Sequence, residues 1–206
     1  MMDPKTGRLG KAFFKRDAVC CARELIGAEF RWDGCSGIVV ETEAYAEIGD
    51  EACHTFFRPS ARRFVEEHPA GTAYVYLNYG MYWLTNVLVK NPLNGHRGFV
   101  LLRALQPVHG CDVMRERRGR DRLTDLCSGP GKLSMALGIT GDHHGINLVD
   151  DETESRGFFR SIPSKNGPQR GVLADRRIGI SRSQELAWRF LADDNAHVSV
   201  RFGRVK

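Results

Sequence analysis

Residues 72–89 read Thr-Ala-Tyr-Val-Tyr-Leu-Asn-Tyr-Gly-Met-Tyr-Trp-Leu-Thr-Asn-Val-Leu-Val, and no other stretch restricts the fold as much. Both ends are rich in aromatic and β-branched residues, which favour strand. Asn78-Tyr79-Gly80 lies between them and signals a turn, because Asn and Gly accept positive φ at little cost. The stretch predicts a β-hairpin with Tyr79 at its tip. Alternation along a strand puts Tyr74 and Tyr76 on one face, and sets Trp83 and Thr85 opposite Leu84 and Asn86 on the returning strand. Four of the chain's five tyrosines fall in this hairpin, and the fifth is Tyr45. Core packing is the ordinary role of any one of these rings, but a ring carried on a turn points outward. Tyr79 therefore predicts a surface that stacks on, or wedges into, something flat.

The 206 residues suffice for one domain with a sizeable core. Apolar residues make up 42% and charged residues 27%, which places the chain among globular proteins. A formal net charge of +5 favours an anionic partner, nucleic acid being the commonest, without deciding it. The six cysteines form no C-x-x-C and sit near no histidine at zinc spacing, so they read as reduced, mostly buried thiols of a cytosolic protein. No window approaches the ~18 apolar residues of a membrane span, and the first residues lack the apolar run of a signal peptide. No metal or organic cofactor is implied.

In chain order, residues 1–12 read as a basic tail. Asp17 caps a helix to about Ile26, with Val19, Ala22, Leu25 and Ile26 on one stripe. A strand begins at Phe30 and Trp32, turns at Asp33-Gly34, and returns through residues 37–45, Gly-Ile-Val-Val-Glu-Thr-Glu-Ala-Tyr. Strict alternation puts Val39, Glu41, Glu43 and Tyr45 on one face, with the two glutamates about 7 Å apart. Solvated glutamates on an edge strand are the ordinary case. Embedded in an apolar, β-prone run, a carboxylate instead needs a partner or a raised pKa, which makes it a candidate general base. Arg103 is the candidate partner: it lies inside the apolar strand 99–105, where an unpaired guanidinium is costly.

Further along, the basic run 114–120 follows a short helix from about Val108, and Ser128-Gly-Pro-Gly-Lys132 opens another helix. Such an opening holds a phosphate or serves as an ordinary cap. Arg115, Arg117, Arg118, Gly129, Gly131 and Lys132 are thus candidates for an anionic backbone. His143-His144 reads as a loop. Residues 150–170 read as a long surface loop, 177–180 as a strand, 183–191 as a helix and 198–202 as a closing strand. The expected fold is a single α+β domain, a curved, mostly antiparallel sheet with surrounding helices and the Tyr79 hairpin protruding.

Val-Glu-Thr-Glu-Ala-Tyr45, His54, Tyr74-Val-Tyr76, Tyr79-Gly-Met-Tyr82, Asn86, Leu-Leu-Arg-Ala-Leu105 and Leu-Cys-Ser-Gly-Pro-Gly-Lys-Leu133 occur in that order. Together they resemble the alkyladenine (3-methyladenine, or methylpurine) DNA glycosylases, from about Leu25 to Val149 and again at residues 177–180. The resemblance implies that Glu43 deprotonates the attacking water, and that Arg103 and a backbone carbonyl of 177–180 help to hold it. It implies a base pocket of Tyr45, His54 and Tyr76, with Asn86 placed against the amino group of guanine, and Tyr79 entering the duplex. The implied partner is double-stranded DNA carrying damaged purines, and the implied protein is a monomer, cytoplasmic in a bacterium or nuclear in a eukaryote. No lysine lies near these motifs as an amine nucleophile, which favours a water-driven enzyme without a lyase step. The chain departs from the family's pattern in residues 55–71 and at Asn78. Two other classes remain at this point: a glycosidase using Glu41 and Glu43 as an acid/base pair, and a DNA binder without catalysis.

Overall fold

The computed structural model describes residues 7–150, 155–160 and 171–205. Among the described residues eight strands form one antiparallel sheet: β1 (Glu29–Trp32), β2 (Cys35–Ala46), β3 (Ala73–Asn78), β4 (Tyr82–Lys90), β5 (Arg97–His109), β6 (Arg156–Phe159), β7 (Val172–Asp175) and β8 (Arg189–Ala192). Among the described residues seven α-helices pack around it: α1 (Lys11–Phe14), α2 (Ala18–Leu25), α3 (His54–Phe57), α4 (Pro59–Glu67), α5 (Cys111–Arg118), α6 (Leu123–Leu126) and α7 (Pro130–Leu137). This is the α+β arrangement that the sequence predicts.

The strand order is β3-β4-β5-β2-β1-β6, and β2 also pairs with β8, which carries β7. The long strands β2 and β5 form the spine. Val39 and Glu41 of β2 face the consecutive β5 residues Leu105 and Ala104, so Val40 is an extra, bulged residue. On its other edge β2 pairs with β1 through Ile38 and with β8 from Glu41 to Glu43. The sheet forks at the bulge. The bulge also corrects the strict alternation read from the sequence: Val39 joins the main core with Ala44, while Val40 turns to a small cluster with Ala104 and Ala192. Glu41 and Glu43 keep a common face because both lie beyond it.

Alternation holds in β3, in β4 and in β5 as far as Leu102; beyond it Arg103 is an extra residue, and Leu105 returns to the core face. Ala73, Val75, Val87, Val89, Val100 and Leu102 bury in the main core with Phe14, Leu25, Leu133 and Leu137 of the helices. Tyr74, Leu88 and Phe99 point the other way and meet Phe64 and Val65 of α4. Burying each such side chain contributes roughly 1.5–3 kcal/mol. The second cluster is the floor on which Tyr45 and Tyr76 rest.

The hairpin forms where it is expected, with one correction at its tip. The residues at positive φ are Tyr79 (+50°) and Gly80 (+68°), not Asn78, and the Met81 N–H closes on the Asn78 carbonyl at 3.0 Å. Positive φ at both central positions suits the twist of a tight hairpin.

Other expectations need correction. Residues 7–12 are not a tail: Leu9 is buried and its N–H bonds to the Phe158 carbonyl, while Arg8 donates to the Leu148 and Arg156 carbonyls, at 2.9 and 2.6 Å. Residues 155–160 are not surface loop, because β6 pairs with β1 and buries Phe158 and Phe159; the remainder of 150–170, apart from Asp150, and residues 1–6 lie outside the described residues. The basic run at 114–118 lies within α5 rather than after a helix, because β5 continues to His109. Residues 177–180 form no strand, since the Ile178 N–H bonds to a carboxylate instead of a neighbouring strand. Residues 183–191 form no helix: Arg189 sits on β8, drawn to Glu41. Residues 198–202 form no closing strand, because the Ser199 N–H is likewise held by Glu41.

Candidate active site

A cleft of about 750 Å³ opens beside the hairpin, and its lining includes Tyr45, His54, Tyr76, Tyr79, Asn86 and Arg103. These are six of the residues singled out in the sequence, and the fold brings them together from β2, α3, β3, the hairpin turn, β4 and β5. The seventh, Glu43, is fully buried and lies behind the wall. Its three partners all belong to the lining. The Ile178 N–H donates to Oε1 at 2.7 Å, the Tyr45 hydroxyl donates to Oε2 at 2.7 Å, and Arg103 Nη1 stands 3.2 Å from Oε1. A carboxylate has about four acceptor positions, so Glu43 retains one.

Glu41 is different. It accepts Arg103 Nε (3.0 Å), Arg189 Nη1 (3.0 Å), the Ser199 hydroxyl (2.8 Å) and the Ser199 N–H (2.5 Å). Its acceptors are full, and it is absent from the lining. Arg103 bridges the two carboxylates. Burial opposes its charge, but Glu43 and Glu41 outweigh burial and raise its pKa. The expected pairing of Arg103 with both glutamates is thus present.

The aromatic wall is neutral at ordinary pH. Burial, and then the adjoining Glu43 charge, hold the Tyr45 phenol well above its usual range. Burial also raises Tyr74 and Tyr76. His54 is pushed down to about 4, by burial first and by Arg58 second. Its Nδ1 lies 3.0 Å from the Tyr74 hydroxyl, and its ring meets Tyr76 edge-on at 4.4 Å between centroids. Asn86 is buried, and its Nδ2–H donates to the Tyr74 carbonyl at 3.1 Å, which fixes the amide in the floor. Tyr79 is 83% exposed at the rim, with Met81 and Leu77 exposed near it.

The candidate backbone-binding residues divide. Pro130 at the start of α7 lines the cleft, and a Cβ on Gly131 would meet Tyr82 Cβ at 2.8 Å, so this end of α7 abuts the hairpin. Lys132 is exposed there and Gly129 is buried. Arg115, Arg117 and Arg118 are not in the lining. Arg117 donates to the Ala136 carbonyl at the C-terminal end of α7, where a cation suits the helix dipole. Arg118 donates to the Leu126 and Asp125 carbonyls, and Arg115 to Asp112 and the Asp121 carbonyl. His144, one of the paired histidines, bonds through Nδ1 to the Val75 backbone.

Sequence reading missed four contributors: the Ile178 N–H, the exposed rings of Phe56 and Phe57 on the rim, and the buried ion pair Asp50–Arg177. A buried Arg-carboxylate pair leaves no local pattern when its members are 127 residues apart. The Phe-Phe pair stands in the segment that departs from the family's pattern, and that departure was the available signal.

The sequence model of methylpurine-DNA glycosylases matches residues 12–196. A protein of Agrobacterium fabrum named "Putative 3-methyladenine DNA glycosylase" is 43% identical over 192 residues, 93% of this chain and 92% of its own length. Proteins with the same name from Rhodopseudomonas palustris (strain HaA2) and Granulibacter bethesdensis are 40% and 41% identical, covering 97% and 91% of this chain and 96% and 85% of their own lengths. With the cleft, its held carboxylate and matches across nearly the whole sequence, the chain belongs to the methylpurine-DNA glycosylase family, and it is an N-glycosidic hydrolase.

Proposed function

We propose that this protein is a monofunctional repair enzyme that turns an alkylated or deaminated purine out of duplex DNA and hydrolyses its N-glycosidic bond with an activated water. The observation that carries the reading is a buried carboxylate, Glu43, tied to three cleft-lining groups and keeping one acceptor position for a water. In this reading Glu43 takes a proton from the water, the oxygen bonds to the anomeric carbon, and the C–N bond breaks with its electron pair going to the purine. A purine alkylated at N3 or N7 is cationic and leaves neutral. A neutral purine such as hypoxanthine must also gain a proton. The names of the relatives favour 3-methyladenine as a substrate.

The remaining roles are those the family resemblance implies, and the grouping of these residues in one cleft supports them. Tyr45 and Tyr76 would stack on the extruded base, each contact contributing roughly 1–3 kcal/mol and tolerating several purines. His54, with Tyr74 donating to Nδ1, would carry its proton on Nε2 and donate it to the base edge. Asn86 would stand against an amino group at the position where guanine has one. Tyr79 would fill the gap left in the duplex, and the start of α7 with Lys132 would meet the DNA backbone, the protein acting as a monomer. Neither Lys90 nor Lys132 lines the cleft, which supports water rather than an amine as nucleophile.

Base release from duplexes carrying one hypoxanthine or ethenoadenine, and from methylated DNA, tests the proposal. The native protein is expected to free base and leave an intact abasic strand, while Glu43→Gln binds the same duplexes without release. Binding by both proteins with release by neither, on all three substrates, would refute it.

A further inference from the structure

The Tyr45 ring has two sides with different neighbours. One looks into the cleft. Over a face of the ring stands the guanidinium of Arg177, its central carbon 4.7 Å from the ring centroid and 5.4 Å from that of Trp188. Arg177 is buried, is not part of the cleft lining, and is held by Asp50 through two bonds of 2.6 and 2.8 Å. It also donates to the Ala44 and Ser183 carbonyls. Asp50, equally buried, accepts the Ala46 and Ala52 N–H groups at 3.1 Å. The Arg177 Nε–H has no hydrogen-bond partner among the described residues.

We propose that the Asp50–Arg177 pair sets how well the Tyr45 platform accepts a positively charged purine, and so determines the preference between cationic and neutral lesions. This rests on the glycosylase reading above. An aromatic face attracts a cation through the ring's quadrupole. A ring already backed by a cation attracts a second one less, and the two charges also repel through it. A purine alkylated at N7 within DNA is a cation, and hypoxanthine is not. The carboxylate of Asp50 cancels the charge behind Tyr45 and lets the platform serve both. A base stacked on Tyr45 would stand about 8 Å from Arg177, where an uncancelled unit charge at an effective dielectric of about 20 shifts an equilibrium by up to about 30-fold.

The pair touches the catalytic arrangement as well. Arg177 is the residue before Ile178, whose N–H holds Glu43. Damage to that support would lower release of every base alike. A charge effect alone changes the ratio between bases, which is the quantity to measure. The charges of Glu41, Glu43 and Arg103 are common to all variants and cancel from it.

The experiment compares single-turnover release of 7-methylguanine and of hypoxanthine from otherwise identical duplexes. Asp50→Asn is expected to lower the ratio of 7-methylguanine to hypoxanthine release by about 10–30-fold, and Arg177→Gln to raise it. Arg177→Lys, which keeps the charge, is expected to leave it within about threefold of native, under 1 kcal/mol. Because the two shifts have opposite signs, either neutralising variant that folds, as judged by circular dichroism, decides the matter by itself. An unchanged ratio, or a shift of the opposite sign to that stated, overturns the proposal. If the native protein releases neither base, the glycosylase reading has failed, and that is seen before any variant is compared.

Discussion

Glu41 and Glu43 lie two residues apart on one strand, and their surroundings predict opposite consequences for the same substitution. In Glu41→Gln a buried carboxylate with four bonds, two of them from guanidinium groups, becomes an amide. The amide nitrogen is a donor and must face another donor, whichever way it turns. Arg103 keeps Glu43 and Arg189 keeps Asp175. The loss is that of one broken buried pair, about 3–5 kcal/mol, which in a chain of this size lowers the melting temperature by about 6–20 °C. Glu43 keeps all three of its partners, so the rate of base release per folded molecule is expected to stay within about tenfold of native, 1.4 kcal/mol of barrier. In Glu43→Gln the ordering reverses. Release falls by at least about 100-fold, the scale of a lost general base, with the smaller change in melting temperature. Thermal unfolding followed by circular dichroism, with single-turnover release measured well below each midpoint, separates the two quantities. A Glu41→Gln protein that melts like native yet releases no base would refute this reasoning and favour the two carboxylates as an acid/base pair.

Three further outcomes are expected. Tyr79→Ala removes a ring that is 83% exposed, so the melting temperature should stay near native while release from duplex falls by about 5–150-fold, the equivalent of 1–3 kcal/mol of stacking; an unchanged rate would remove Tyr79 from the mechanism. His54 is half-buried, and burial first and Arg58 second push its pKa down from 6.5 to about 4 in the folded protein. The unfolded chain therefore binds the extra proton between those values, and stability should be complete above pH 6.5 and fall toward pH 4 by up to about 3 kcal/mol. His54→Gln should flatten that slope, and equal slopes in the two proteins would contradict it. Lys132→Ala is expected to reduce the slope of log affinity for DNA against log salt by about one unit, whereas Arg118→Ala, whose guanidinium is occupied by two carbonyls, should leave it alone; equal slopes for native and Lys132→Ala would remove that lysine from the DNA contact.

In the N-terminal two thirds of the chain, the strands that carry the site were legible because their signals are local. Aromatic alternation marked β3 and β4, and a lone arginine in the apolar β5 called for an acidic partner that the apolar β2 supplied. The last third was not. Leu186, Trp188, Phe190 and Leu191 offer an apolar pattern that reads as a helix, but the structure is set by Arg189, which crosses to Glu41 and Asp175 and brings its segment alongside β2. Likewise the amides of Ile178 and Ser199 bond to carboxylates far off in the chain, so strand propensity there counts for nothing. The bulge at Val40 gave no residue signal either, since valine suits any strand. It is fixed by the change of neighbour from β1 to β8.

That change of neighbour has a consequence for how the protein comes into being. The segment that completes the pairing of Glu41 lies 148 residues beyond it. At about 5–20 residues per second of synthesis, the ribosome delivers it roughly 7–30 s later. A chain that ends before these residues lacks the Ile178 amide for Glu43, and both Arg189 and Ser199 for Glu41. Under the proposed mechanism, a chain interrupted before Ile178 lacks one of the three groups that hold Glu43 and is expected to release no base.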